Sequence, residues 1–357
     1  PVAETQAGKG ALAWDNPLNL GGVGVTGTSA ANALAAEADV VLAVGTRLQD
    51  FTTGSRALFT NPDWRLINLN IAPYDAAKHG GIGIVADAWV GIEALDHTIA
   101  HYQAPYEWRE RAGIEIERWS QTANKALAAD NALRPSDAQV VGAIARAAGE
   151  NDTVVCAAGG LPGELHKLWR ATDNRGYHLE YGFSCMGYEI AGGLGVKMAL
   201  PDREVFVMVG DGSYLMMNSE IATSVALGHK LIITVLDNGG FGCIQRLQTG
   251  TGGTPFNNMF EDIPGGNATS IDFTSHAASL GAISERVTGI ADLETALIRA
   301  RSNDRTTVVV IETNPAASTE AGGAWWDVPI AEVSERSAVQ QARVTYEKRT
   351  GGEQERN

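Results

Sequence analysis

Two short runs carry the chemistry of this chain. Gly210-Asp211-Gly212-Ser213 is followed, beyond Gly212, by twenty-four residues and then by Asp237-Asn238-Gly239-Gly240. A carboxylate, an amide oxygen and a nearby backbone carbonyl are hard oxygen ligands that suit Mg²⁺ or Ca²⁺, with diphosphate oxygens completing an octahedron. The pair of runs therefore spells a site for a metal carrying a diphosphate. Either run alone reads as a strand-ending turn, since Gly, Asp and Asn are the commonest turn formers. Together, at this distance and with a helix and a strand between them, they point to one site.

The flanking elements explain how these residues are to be held. Glu204 to Val209 (EVFVMV) is continuously apolar rather than alternating, the pattern of a buried parallel strand, and Gly210-Asp211-Gly212 breaks it. Ser213 to Leu227 has helical spacing, so Gly212 and Ser213 are expected to offer free backbone N–H groups to phosphate oxygens at a helix start. Leu231 to Leu236 reads as a second strand ending at Asp237-Asn238. In an open parallel sheet both strand ends face one ligand crevice.

The remaining chain reads as alternating β and α. Strand-like runs at Val40 to Val44, Leu66 to Ile71 and Ile82 to Ala86 predict a first parallel sheet within residues 1–100. Residues 101–133 are polar and helix-prone from Tyr106, a helical connection with Trp108 and Trp119 spaced to pack. Residues 134–335 predict a second parallel sheet of five or six strands, through Thr153 to Ala157, Val205 to Val209, Leu231 to Leu236, Ile283 to Val287 and Thr307 to Glu312. Pro135 suits the first turn of a helix over Asp137 to Ala148. Residues 336–357 read as a last amphipathic helix, Ser337 to Arg349, and a polar tail from Thr350. The fold class is α/β, two doubly wound parallel-sheet domains.

With 357 residues the chain has ample core for two domains. Its 27 basic and 42 acidic residues give a net charge of −15, which argues against nucleic acid or an anionic membrane surface as partner. No stretch reaches the length of a transmembrane helix, and the N-terminus lacks a signal-peptide pattern. Cys156, Cys185 and Cys243 have no metal-ligand spacing and read as reduced thiols of a cytoplasmic protein. The histidines (79, 97, 101, 166, 178, 229 and 276) share no motif and read as surface or satisfied side chains. Gly22-Val23-Gly24-Val25-Thr26-Gly27 is a literal G-x-G-x-x-G, but the preceding Trp14 to Leu20 does not read as a strand. The run is taken as a turn before a helix at Ser29 to Ala38 rather than a dinucleotide site. Gln245, Arg246, Asn257 and Asn258 lie where a substrate loop belongs, solvated loop residues being the other reading.

The spacing of the two runs resembles the cofactor signature of thiamine diphosphate enzymes, GDG followed by roughly 24 to 27 residues and NN. Asp237 replaces the first Asn of that pair and Asn238 keeps the second. The likeness extends further: Ala3 to Ala11 (AETQAGKGA), Asp15 to Thr28 and Ala38 to Asp50 resemble the central domain of acetohydroxyacid synthases. Gly240 to Phe260, Gly160 to Trp169 (GLPGELHKLW) and Trp325 to Glu335 are similar to the branch that hydrolyses cyclic trihydroxy-1,2-diones in myo-inositol breakdown.

This resemblance implies thiamine diphosphate and Mg²⁺ as cofactors, with the side chains of Asp211 and Asn238 and the Gly240 carbonyl as metal ligands. It implies that Met186 props the cofactor in a bent shape and that the Ser184 carbonyl meets the aminopyrimidine. Gly160, Leu161, Gly210, Gly212, Ser213, Gly240 and Phe241 join the cofactor-binding set. The implied substrate is a cyclic polyol dione, opened to a 5-deoxy-glucuronate, and the implied assembly a homodimer or homotetramer. Members of the family ionise the cofactor with a glutamate of an N-terminal pyrimidine-binding domain, and no glutamate here sits in a matching motif. No catalytic residue is therefore assigned within this chain, which is expected to be a fragment of a longer enzyme that binds the cofactor weakly on its own. A carboligase of 2-oxo acids and a non-catalytic cofactor-binding homologue are the alternative readings.

Overall fold

The computed structural model describes residues 1–130, 132–263 and 270–354. The chain divides into two compact units. The first comprises residues 1–8, 15–122 and 320–327, and the second residues 9–14, 123–319 and 328–357. These boundaries differ from a simple cut near residues 100 and 134. Chain order alone does not reveal that Glu320–Asp327 folds back onto the first unit, where the Trp326 indole N–H donates to Asp50 at 2.9 Å.

In the first unit, β1 (Val2–Glu4) pairs in parallel with β2 (Asn19–Gly22), and β3 (Val40–Val44), β4 (Arg65–Asn70) and β5 (Ile82–Val85) form a parallel sheet in that order. The reading of Trp14 to Leu20 as no strand is corrected at its end, because Asn19 and Leu20 belong to β2. Of Asn19-Leu20-Gly21-Gly22 only Leu20 is a large apolar residue, so no strand pattern registers, and pairing with β1 decides it. The dinucleotide reading is still excluded by the hydrogen bonding of the glycine-rich loop. The N–H groups of Val23, Val25, Gly27 and Thr28 donate to the carbonyls of Glu4, Phe51, Gly24 and Gly22. Asn32 closes the ring: its Oδ1 accepts the Gly24 N–H at 2.9 Å and its Nδ2 donates to the Gly24 carbonyl at 3.0 Å. Donors committed to protein acceptors cannot cradle a phosphate.

A long helix, Tyr106–Leu127, lies within residues 101–133. Arg111 ties it to Glu37 at 2.8 Å, and Trp119 is buried against Gly322.

The second unit is built on six parallel strands, β6 (Thr153–Cys156), β7 (Tyr177–Leu179), β8 (Val205–Gly210), β9 (Ile232–Asp237), β10 (Ile283–Val287) and β11 (Thr307–Glu312), in the order β10-β11-β9-β8-β6-β7. The chain runs from β6 to the edge strand β7 and returns past β6 to β8, so the order reverses there, at the kind of switch point where open α/β sheets bind ligands. Val205 through Val209 are all at most 1% exposed, which is why the β8 sequence is apolar without alternation. Gly210 pairs with Leu236 and Asp237 with Glu312, so both chemical runs leave the sheet at one edge.

Three further expectations are corrected. Ser213 to Leu227 is not one helix but two, Asp211–Met216 and Glu220–Leu227. Asn218 Nδ2 donates to the Tyr214 carbonyl at 3.0 Å, ending the first, the usual competition of Asn side chains with helix hydrogen bonds. Pro135 stands outside the helix Asp137–Ala147, which Ser136 caps through a capping box with Gln139. The last helix runs Ser337–Gln354, through the stretch from Thr350 read as a tail.

Candidate functional site

Asp211 is the hub of the site. It opens the short helix after β8 and is 1% exposed. Its Oδ1 accepts the Gly212 N–H and its Oδ2 the Gly240 N–H, both at 2.8 Å. One carboxylate thus pins the two runs together across the sheet edge. Burial pushes the Asp211 carboxyl up to about 6, and the Gly212 and Gly240 amides pull the other way. The Gly212 N–H is consequently not free for phosphate, a correction to the sequence reading.

The second run is shaped around its glycines. Gly240 has φ 143°, and a Cβ there would stand 2.5 Å from the Asn258 carbonyl oxygen, so only glycine fits. Gly240 bridges Met259, the Phe241 N–H donates to the Asn258 carbonyl at 2.8 Å, and the Phe260 N–H donates to Gly239 at 2.9 Å. Asn238 Oδ1 is buried and, among the described residues, accepts no hydrogen bond. Asp237 turns instead to Arg286 at 3.4 Å, and that guanidinium opposes the rise that burial imposes on its carboxyl.

A buried amide oxygen without a donor beside a buried carboxylate fits a hard cation. Among the described residues no three His, Cys, Asp or Glu side chains are grouped to hold a metal. The Mg²⁺ implied by the resemblance would draw on one carboxylate, the Asn238 oxygen, the Gly240 carbonyl and diphosphate oxygens.

The apolar candidates converge on Gly212. A Cβ there would meet the Phe241 ring at 2.7 Å and Met186 Cε at 3.5 Å, so glycine leaves room for both side chains. Met186 precedes the helix Tyr188–Ala199, which starts at left-handed Gly187. Ser184, exposed with φ 54°, sits in a loop gathered by Glu180, whose carboxylate accepts the N–H groups of Phe183 and Cys185 at 2.9 and 3.0 Å. Gly210 ends β8 with open space where a Cβ would stand, and Ser213 is buried. Gly160 caps the helix Leu161–Leu168 and faces Arg246 and Cys243, while Leu161 is buried. Of the loop residues, Gln245 and Gln248 both accept from Asn258 Nδ2, so that part of the loop bonds to itself. His79, His178 and His276 pair with Leu48, Tyr188 and Tyr214, satisfied as expected.

Sequence reasoning missed Glu189. It is 1% exposed, and its Oε2 accepts the Gly187 N–H at 2.9 Å. Burial raises its carboxyl, while the Ser213 side chain and the Ala158 and Gly187 amides oppose the rise. It thereby ties the Met186 loop to the start of the helix Tyr188–Ala199, facing Ser213 of the helix that carries Asp211. The available signal was an acidic residue at an otherwise apolar helix start.

A parallel α/β sheet whose strand ends present this aspartate, asparagine and glycine set defines a thiamine diphosphate-binding fold. Residues 1–95 match the family described as thiamine pyrophosphate enzyme, central domain, and residues 157–311 match its C-terminal TPP binding domain. The chain belongs to the thiamine pyrophosphate enzymes. It is 38% identical over 369 residues to the 3D-(3,5/4)-trihydroxycyclohexane-1,2-dione hydrolase of Geobacillus thermodenitrificans, across 96% of this chain and 57% of that protein. It is 39% identical over 376 residues to 3D-(3,5/4)-trihydroxycyclohexane-1,2-dione hydrolase 2 of Bacillus cereus, across 96% of this chain and 58% of the relative. The chain thus spans a little over half the length of the curated relatives it matches. No helix among the described residues is long and apolar enough to cross a membrane.

Proposed function

We propose that this chain forms the diphosphate- and metal-binding part of a thiamine diphosphate- and Mg²⁺-dependent hydrolase. Its reaction would open a trihydroxycyclohexane-1,2-dione ring to 5-deoxy-glucuronate in myo-inositol degradation. The observation that carries the reading is the Asp211 clamp on Gly212 and Gly240 beside the donor-free Asn238 oxygen. The names of the relatives support the substrate. When bound, the cofactor supplies the carbanion and the electron sink for C–C cleavage.

In this reading Asp211, Asn238 and the Gly240 carbonyl hold Mg²⁺. Gly210, Ser213, Gly160 and Leu161 line the diphosphate and thiazolium, and the Ser184 carbonyl accepts from the aminopyrimidine. Met186 and Phe241 give the cofactor an apolar support beside Gly212. No residue of this chain is assigned the ionisation of the cofactor. The enzyme works in the cytoplasm as a homodimer or homotetramer.

Calorimetric titration with thiamine diphosphate tests the site. The wild-type chain should bind only with Mg²⁺ present, and Asn238→Ala should weaken binding at least tenfold. Binding indifferent to Mg²⁺ and to that substitution would sink the metal assignment. Dione hydrolysis and pyruvate condensation, measured side by side on the complete gene product, decide the reaction, and condensation without hydrolysis would overturn it.

A further inference from the structure

A second set of polar side chains gathers beside the turn after β6. Asp137 opens the helix Asp137–Ala147, Glu164 lies in the first turn of Leu161–Leu168, Arg246 belongs to the helix Gly242–Gly250, and Thr313 follows β11. Glu164 is 7% exposed: Oε1 accepts the Thr319 N–H at 2.7 Å, but Oε2, among the described residues, accepts nothing. Thr313 is 1% exposed, and its hydroxyl faces the Asp137 carboxyl. Arg246 donates one N–H to the Pro315 carbonyl and directs Nη2 at Gly160, 2.5 Å from where a Cβ would stand. The fields of Glu164, Arg246 and Asp211 all reach Asp137.

Buried polar atoms without partners are rare in folded proteins and call for an explanation such as a ligand that completes them. Here, among the described residues, a Glu164 carboxylate oxygen has no donor, next to the Thr313 hydroxyl and the Arg246 guanidinium turned toward Gly160. We propose that Glu164, Asp137, Thr313 and Arg246 form a hydroxyl-reading subsite for the neutral, polyhydroxylated ring of the substrate. The proposal rests on the thiamine diphosphate reading above, which puts Gly160 against the cofactor. Ring hydroxyls donate to Glu164 and Asp137 and accept from Arg246. A 2-oxo acid would set its own carboxylate against the Glu164 oxygen that lacks a donor, so the subsite also separates this substrate class from that of the carboligases.

The test is titration of the chain, with Mg²⁺ and thiamine diphosphate present, using myo-inositol as a neutral cyclitol probe and pyruvate as an anionic one. Wild type should bind the cyclitol and not pyruvate, and Glu164→Gln and Thr313→Val should each weaken cyclitol binding at least fivefold while leaving cofactor affinity unchanged. Thr313→Val exchanges a hydroxyl for a methyl of similar size and serves if the carboxylate variant does not fold. Absence of cyclitol binding to wild type, or equal cyclitol affinity in wild type and folded variants, would overturn the subsite. The two readings fail separately: cofactor binding without cyclitol binding rejects the subsite alone, whereas cyclitol binding without cofactor binding rejects the cofactor assignment.

Discussion

Asp137 shows how much of a residue's behaviour its sequence context conceals. An acid in the first turn of a helix ordinarily reads as a surface group favoured by the helix dipole. Here burial first, and the neighbouring Glu164 next, push its carboxyl up to about 7, with Arg246 opposing. The native state therefore holds a proton that the unfolded chain releases near its ordinary value of 3.8. Stability from this group is complete below about pH 4 and is lost as the pH rises to 7. In thermal denaturation across pH 4 to 8, Asp137→Asn should flatten that decline. A variant with the same pH slope as wild type would show that Asp137 does not titrate as its surroundings dictate. Glu164 and Glu189 were hidden in the same way, because a buried charge inside an amphipathic pattern looks like a solvated one. Asp211, Asn238 and Gly240 were legible because their types and spacing are themselves the signal, although the commitment of the Gly212 N–H to Asp211 was not.

At the scale of elements, continuous apolar runs were read well and strands with few apolar residues were not. β8 and β9 declare themselves by unbroken burial, and the sixth strand of the sheet, β7, with 3 residues, does not. The division of the helix after Asp211 depends on one Asn side chain capturing a carbonyl, a contact that periodicity cannot foresee. The glycine-rich loop of the first unit is the instructive case. Its spacing imitates a phosphate cradle, but Asn32 fills it from within. Asn32→Ala removes two buried hydrogen bonds and should destabilise the first unit by about 1–3 kcal/mol. Cofactor affinity, measured by titration, should be unchanged. Full retention of stability in chemical denaturation would show that the loop does not depend on this side chain.

Across the molecule, the charge balance and the absence of basic runs were readable at once, whereas the return of Glu320–Asp327 to the first unit was not, since nothing local distinguishes a strap from a tail. The first unit also leaves Val40, Leu42, Ile82 and Val85 exposed on its strands, and Trp89 and Val90 on the helix that follows. So much exposed apolar surface in water is unusual for a protein that stays alone. Sedimentation velocity at micromolar concentration should return a mass that is a multiple of 37.7 kDa. A single monomeric species would count against the proposed homodimer or homotetramer.

The strand-like pairing of Gly239, Gly240 and Phe241 with Asn258, Met259 and Phe260 makes the intervening chain a stirrup hung from one bolt. Both ends of the stirrup meet where the Gly240 N–H reaches Asp211. Arg246 rides on it, while Glu164 belongs to the helix after β6 and does not. The donor and the acceptor of the hydroxyl-reading subsite are thus held by different supports, the Arg246 side by the grip of Asp211 on Gly240 and by the Pro315 carbonyl.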